Sequence, residues 1–256
     1  MSRSNNVDIT NPATRFFEWK ARNGELTYFD KTLGDGGENV PVPIPFRFLI
    51  LDKVAQITGG KKIGHGKEKQ FIGYFSNAIR NTKTEKFVVR DKHGIVGEGL
   101  YEEVKKITGV KFMIGLYIAF YNDKKELEIG YLKLKGSAMS AWIDFTKAHR
   151  NLYDGAFSVA RGEADEDEDG RTYYHPLFTH HANVSAEADE QAKELDRQLQ
   201  EYLTAYFART EQIAEGVAET AEFAGPQTMT AAVGSRYDAQ APGFNPSEED
   251  EEDLPF

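Results

Sequence analysis

The 256-residue chain is 40% hydrophobic and 12% aromatic, enough for a real core with rings left over for surfaces. It has no Cys, which excludes disulfides, thiol nucleophiles and Cys-ligated zinc and fits a reducing cytoplasm; no apolar run approaches the ~18 residues of a membrane helix, and polar Met1–Thr10 lacks a signal-peptide core. The net charge of −10 hides an asymmetry, because Met1–Gly155 holds 25 Lys+Arg against 18 Asp+Glu while Ala156–Phe256 holds 6 against 23. The first part can neutralise a polyanion, and the second can compete with that polyanion or recruit a basic partner.

Met1–Thr14 is polar and reads as a mobile arm. Arg15–Lys20 and Leu26–Asp30 flank the turn signal Asn23-Gly24 and predict a hairpin. Lys31–Asn39 is a Gly/Asp loop. Pro41, Pro43 and Pro45 exclude a central strand before Phe46–Leu51, which reads as a good one. Val54–Thr58 is expected as a short turn of helix, and Thr58–Gln70 as a Gly/Lys loop. Phe71–Arg80 reads as a strand. Phe71, Gly73, Phe75, Asn77 and Ile79 share its buried face, and Ile72, Tyr74, Ser76, Ala78 and Arg80 its exposed one. After the basic turn Asn81–Lys86 comes the strand Phe87–Asp91. Leu100, Val104 and Ile107 then predict a helix over Gly99–Ile107.

Lys111–Tyr121 is the strongest strand of the chain. Asn122-Asp123 turns it into Glu126–Lys135, whose alternation predicts one wet face. Gly136–His149 reads as a helix anchored by Trp142, Ile143 and Phe145. Phe157–Arg161 and Thr172–Thr179 predict a hairpin around the acidic loop Glu163–Gly170. The clearest helix is Ser185–Ala208, capped by Ser185, with an apolar stripe of Leu195, Leu199, Tyr202, Leu203, Tyr206 and Phe207. Composition then fades to Ala, Glu, Gly, Pro and Gln, so Glu211–Phe256 reads as mostly disordered linker. The division is therefore an arm at 1–14, one domain at 15–208, and a linker with an acidic tip at 209–256.

Binding single strands without sequence preference needs cations along a groove and rings on which bases stack. Lys61, Lys62, Lys67, Lys69, Arg80, Lys83, Lys86, Arg90 and Lys92 supply the cations, interleaved with Phe71, Tyr74, Phe75 and Phe87. Tyr74 is the favoured ring because it shares a face with Arg80. Trp19, Tyr28, Tyr117, Tyr121 and Tyr131 are further stacking candidates.

Asp165, Asp167, Asp169 and Gly170 spell the start of a calcium loop, but position twelve is Pro176 where a bidentate Glu is required. His175, His180 and His181 have no carboxylate in helical spacing, and Gly66-Lys67 is followed by Glu68 and is no phosphate loop. No cofactor, metal or catalytic set is singled out.

Six acids, Glu248–Asp253, lead into Leu254-Pro255-Phe256. This tip closely resembles that of bacterial and phage single-stranded-DNA-binding proteins, where acids precede Ile/Leu-Pro-Phe. The strand–strand–strand–helix–strand–strand order over Phe46–Lys135 resembles the OB-fold, a five-stranded barrel that binds oligonucleotides. The expected fold is thus mainly β: an OB barrel with extra hairpins, a long C-terminal helix and a disordered acidic tail. The resemblance implies a cytoplasmic protein that coats single-stranded DNA during replication, recombination or repair. Asp253, Leu254, Pro255 and Phe256 would recruit partner proteins. An RNA-binding OB protein and a metal-dependent nuclease using the acids at 163–169 are the alternatives. Homo-oligomer formation is left open.

Overall fold

The computed structural model describes residues 10–64, 70–149, 151–167 and 169–214. Its first strands are β1 (Arg15–Lys20), β2 (Glu25–Asp30), β3 (Glu38–Val42) and β4 (Phe46–Ile63). Then come β5 (Gln70–Gly73), β6 (Phe75–Ser76), β7 (Phe87–Asp91), β8 (Gly94–Gly99) and helix α1 (Tyr101–Val104). β9 (Val110–Tyr121), β10 (Leu127–Leu134), α2 (Gly136–Ala148), β11 (Ala156–Glu166), β12 (Thr172–His181) and α3 (Ala186–Ala214) complete the order. The molecule is mainly β with a long C-terminal helix.

One sheet runs β12-β11-β4-β9-β10-β1-β2-β3, with β5 paired to the far half of β4; a second runs β6-β7-β8. Neither sheet is closed. All neighbours are antiparallel except β1 and β10, which pair in parallel from Arg15↔Gly130 to Glu18↔Lys133. The large sheet curls until its edge strand β12 meets the β1–β2 turn. There the Tyr174 N–H donates to Ala21 O at 2.8 Å and Trp19 Nε1–H donates to Tyr174 O at 2.8 Å.

Burial separates the two faces of this sheet. Phe17, Phe46, Phe48, Leu116, Ile118, Phe120 and Leu132 pack on one face with Trp142 of α2. On the other, Leu51, Val54, Tyr117, Ala119, Ile129 and Tyr131 lie under Leu199, Tyr202, Leu203 and Tyr206 of α3. A third cluster joins Ala55 and Ile57 of β4 to Tyr74, Ile79, Phe87, Val89 and Val104. α3 is the helix the sequence predicts, with its stripe inward and its first turn capped as Ala188 N–H donates to Ser185 Oγ at 3.2 Å. It continues to Ala214, past the expected end.

Several expectations are corrected. Val54–Thr58 is strand, because β4 pairs with β9 without interruption from Asp52↔Tyr117 to Gly59↔Val110. The part of the expected loop up to Ile63 is strand, since β4 runs on to Ile63 against β5. The strand expected over Phe71–Arg80 is broken at Tyr74, whose N–H turns to Gly59 O. β8, with three glycines, carries no strand signal in the sequence. The helix expected over Gly99–Ile107 shortens to Tyr101–Val104, and Val110 N–H closes the turn on Ile107 O.

Both faces of β10 are covered between Ile129 and Leu132, so the wet face expected there is absent. Ile143 is 40% exposed and anchors nothing; Trp142 does. The last residues of the expected mobile arm are docked: Asn11 and Ala13 are buried, and Thr14 N–H donates to Ile129 O. The prolines do sit off the centre of the sheet, since β3 is its edge.

Candidate nucleic-acid interface

The period-two split of Phe71–Ser76 is right, but its burial is the reverse of the expectation. Ile72, Tyr74 and Ser76 are buried, with Tyr74 4% exposed inside the third cluster. Gly73 and Phe75 face out, Phe75 with 39% of its surface exposed, and Phe71 is half-buried. The Phe71 ring lies over Gly60, where a Cβ would collide with both the ring and Ile72 O. Only glycine lets the ring come this close to the β4 backbone there.

Strand register carries this face onto cations. Lys62 is paired with Phe71. Phe75 is paired with Arg90, and Arg90 with Ile95, so the three form one row across β6, β7 and β8. Ile95 is 58% exposed. Lys61, Lys83, Lys86 and Lys92 are exposed as well. Rings between cations on paired strands can stack bases while neutralising phosphates.

The other expected contacts are sorted by burial. Tyr117 and Tyr131 are fully buried, and Trp19 is buried with its Nε1–H donated to Tyr174 O, so none can stack a base. Phe87 is core as well. Tyr28 is half-buried, with the Arg15 guanidinium 4.7 Å above its ring. Tyr121 is exposed but ends β9 at the opposite tip from Lys111. Arg80 is held at the α3 side by Asp52 Oδ2 at 2.8 Å, Gln200 Oε1 at 2.7 Å and the Phe207 ring. Lys67, Lys69 and the tip Asp253–Phe256 lie outside the described residues.

Sequence reasoning missed a further run of cations on the α3 side of the sheet. Beyond the helix, the row Thr27–Glu18–Lys133–Gly115–Val54 crosses β2, β1, β10, β9 and β4. Lys20 and Lys135 belong to the next row, and Lys111 stands opposite Thr58 beyond it. Glu18 accepts from Lys135 Nζ at 2.5 Å and from Lys20 Nζ at 3.3 Å. Burial pushes the Glu18 carboxyl up, but Lys135, Lys20 and Lys133 outweigh it and hold the group down to about 2. Burial lowers Lys133, against the pull of Glu18. The findable signal was the alternation of Leu127–Lys135, which places Lys133 and Lys135 on the Tyr131 face.

The acidic hairpin is occupied by its own turn. Asp167 accepts from the backbone N–H groups of Asp169 and Arg171 and pairs with Arg22 at 3.0 Å. His175, His180 and His181 have separate partners in Asp165, Asp154 and Ser158.

No family model, no curated protein and no solved structure matches the chain.

Proposed function

We propose that the protein binds single-stranded DNA without sequence preference, along the face that runs from Lys62 and Phe71 to the row Phe75–Arg90–Ile95. That row is the observation that carries the reading: an exposed ring and an exposed aliphatic residue stand in register on either side of half-buried Arg90 on paired strands. Stacking contributes roughly 1–3 kcal/mol per base and tolerates any base.

The same proposal takes part of the sheet as an opened OB-type unit. β4 pairs with β9, β9 with β10, β4 with β5, and β6 with β7, and α1 lies between β8 and β9. The edge of β10 is taken by β1. In this proposal the protein coats single strands during replication, recombination or repair, and the run Glu248–Asp253 with Leu254-Pro255-Phe256 recruits partner proteins.

The test is a fluorescence titration with labelled dT oligomers at two salt concentrations, and with rU oligomers beside them. The expected result is tight binding at low salt that weakens steeply as salt rises, with log K falling by about 0.7 per decade of salt for each phosphate neutralised. Affinity that ignores salt would refute the phosphate-neutralising interface. Tighter binding of rU than dT would move the assignment to RNA.

A further inference from the structure

The edges of the two sheets are treated differently. β3 ends the large sheet on one side and carries Pro41, which has no N–H to offer a further strand. β12 ends it on the other side and is met by the β1–β2 turn. In the small sheet β6 abuts β4, where the Ile57 N–H donates to Ser76 Oγ at 2.8 Å. β8, at the opposite end of that sheet, has no strand beyond it among the described residues. It contains neither Pro nor Lys, and the space beside Gly94 is open. An edge without such guards is a template for another strand.

Register sets what this edge displays. Ile95 stands opposite Arg90 and Glu98 opposite Val88, with Val96 as an extra residue between them. Val88 and Arg90 share one face of β7, so the bulge turns Ile95 and Glu98 to that face, which is also the face of Phe75. Ile95 is 58% exposed and the Glu98 side chain 57%. The ion pair of Glu98 with exposed Lys86 spans 4.0 Å, and such pairs hold weakly. Lys92, in the β7–β8 turn, is exposed as well.

We propose that β8 pairs antiparallel with β8 of a second copy of this chain, about a twofold axis at Ile95. Charge selects this partner: Lys92 and Glu98 lie three residues to either side of Ile95, so the axis sets Lys92 of each copy against Glu98 of the other. The two exposed Ile95 side chains meet across it. The row Phe75–Arg90–Ile95 then continues into the same row of the second copy, because an axis normal to the sheet keeps both rows on one side. The inference rests on the single-strand-binding reading and adds to it an interface that two copies share. A six-residue edge is short, so the pair is weak in free solution and strengthens when one strand holds both copies at high effective concentration.

The test uses the full chain, its variants Lys92→Glu and Glu98→Lys, and an equimolar mixture of the two variants, with thermal melts to confirm folding. Binding is titrated on the shortest dT oligomer that holds one copy and on one twice as long. On the short oligomer Lys92→Glu should bind more weakly and Glu98→Lys more tightly, since each changes the charge beside the strand. On the long one the parent should bind cooperatively, and both variants should lose roughly fivefold to tenfold of that cooperativity. The mixture should regain it, because each variant supplies the charge the other now lacks. Sedimentation equilibrium without DNA makes the same comparison: the mixture should associate more strongly than either variant alone. If the mixture gains nothing in either measurement, or the parent fills the long oligomer without cooperativity, the β8 pairing is refuted while dT binding by the parent keeps the stacking face. If the parent binds no dT, the reading beneath is refuted and the sedimentation comparison alone decides the pairing.

Discussion

The same face of β9 and β10 is built in two ways. Under α3 it presents Tyr117, Ala119, Ile129 and Tyr131, sealed by Leu199, Leu203, Tyr202 and Tyr206. One residue pair further along β10 it presents Lys133 and Lys135 around Glu18. The covered half spends its polar atoms internally: Tyr131 donates to Gln56 Oε1, and Tyr206 Oη accepts from the Ala78 N–H at 2.9 Å. Burial pushes the phenols of Tyr117, Tyr202 and Tyr206 upward, so they stay protonated. The uncovered half gathers Lys20, Lys133 and Lys135 around the Glu18 carboxylate. The difference teaches that helix coverage, and not strand identity, decides whether this face is filled with rings or with charge.

The largest effects should come from breaking the covered side. Leu203→Ala should cost about 2–5 kcal/mol and Tyr74→Ala about 3–5 kcal/mol of unfolding free energy, read from urea melts. A Tyr74→Ala protein as stable as the parent would put that ring back on the surface and undo the assignment of the two faces.

A smaller effect separates the charged half. Glu18 is held at about 2 in the folded chain against 4.5 ordinarily, so its contribution is complete above about pH 4.5 and is lost as pH falls towards 2. The stability difference between parent and Glu18→Gln, on the order of 1–3 kcal/mol at pH 6, should therefore shrink in urea melts taken from pH 5 down to pH 3. A difference constant over that range would mean the carboxylate is not held by the three lysines.

Phe75→Ala sharpens the contrast from the ligand side. It should leave the melting curve within about 0.5 kcal/mol of the parent, as surface changes do. Affinity for dT should drop by roughly 1–3 kcal/mol in the same titration. Unchanged affinity would remove the Phe75–Arg90–Ile95 row from the interface.

Most strands were legible because their alternation or apolar run is strong: Arg15–Lys20, Phe87–Asp91 and Lys111–Tyr121 appear close to where they were expected. α3 was legible because six apolar residues recur at helical spacing. At 71–76, alternation separates two faces but does not say which is inside. The larger apolar rings, Phe71 and Phe75, pointed the wrong way, because the third cluster is filled from β7 and α1 and takes Tyr74 instead. The lysine row escaped notice since its members lie on β1 and β10, which only the parallel pairing brings together. Composition did mark the basic stretch at 61–92, yet ranking its rings needed knowledge of what lies behind them.

The parallel pairing of β1 with β10 has a consequence for synthesis. Thr14 and Ile129, which this pairing joins, are 115 residues apart. At roughly 5–20 residues per second, the ribosome needs on the order of 6–23 s to supply β10 after β1 has been made. During that interval Phe16, Phe17, Trp19 and Leu26 lack the strand that completes their side of the sheet. Non-local pairing of this kind folds slowly. The nascent chain therefore leaves these apolar side chains without their neighbouring strand until β10 is made.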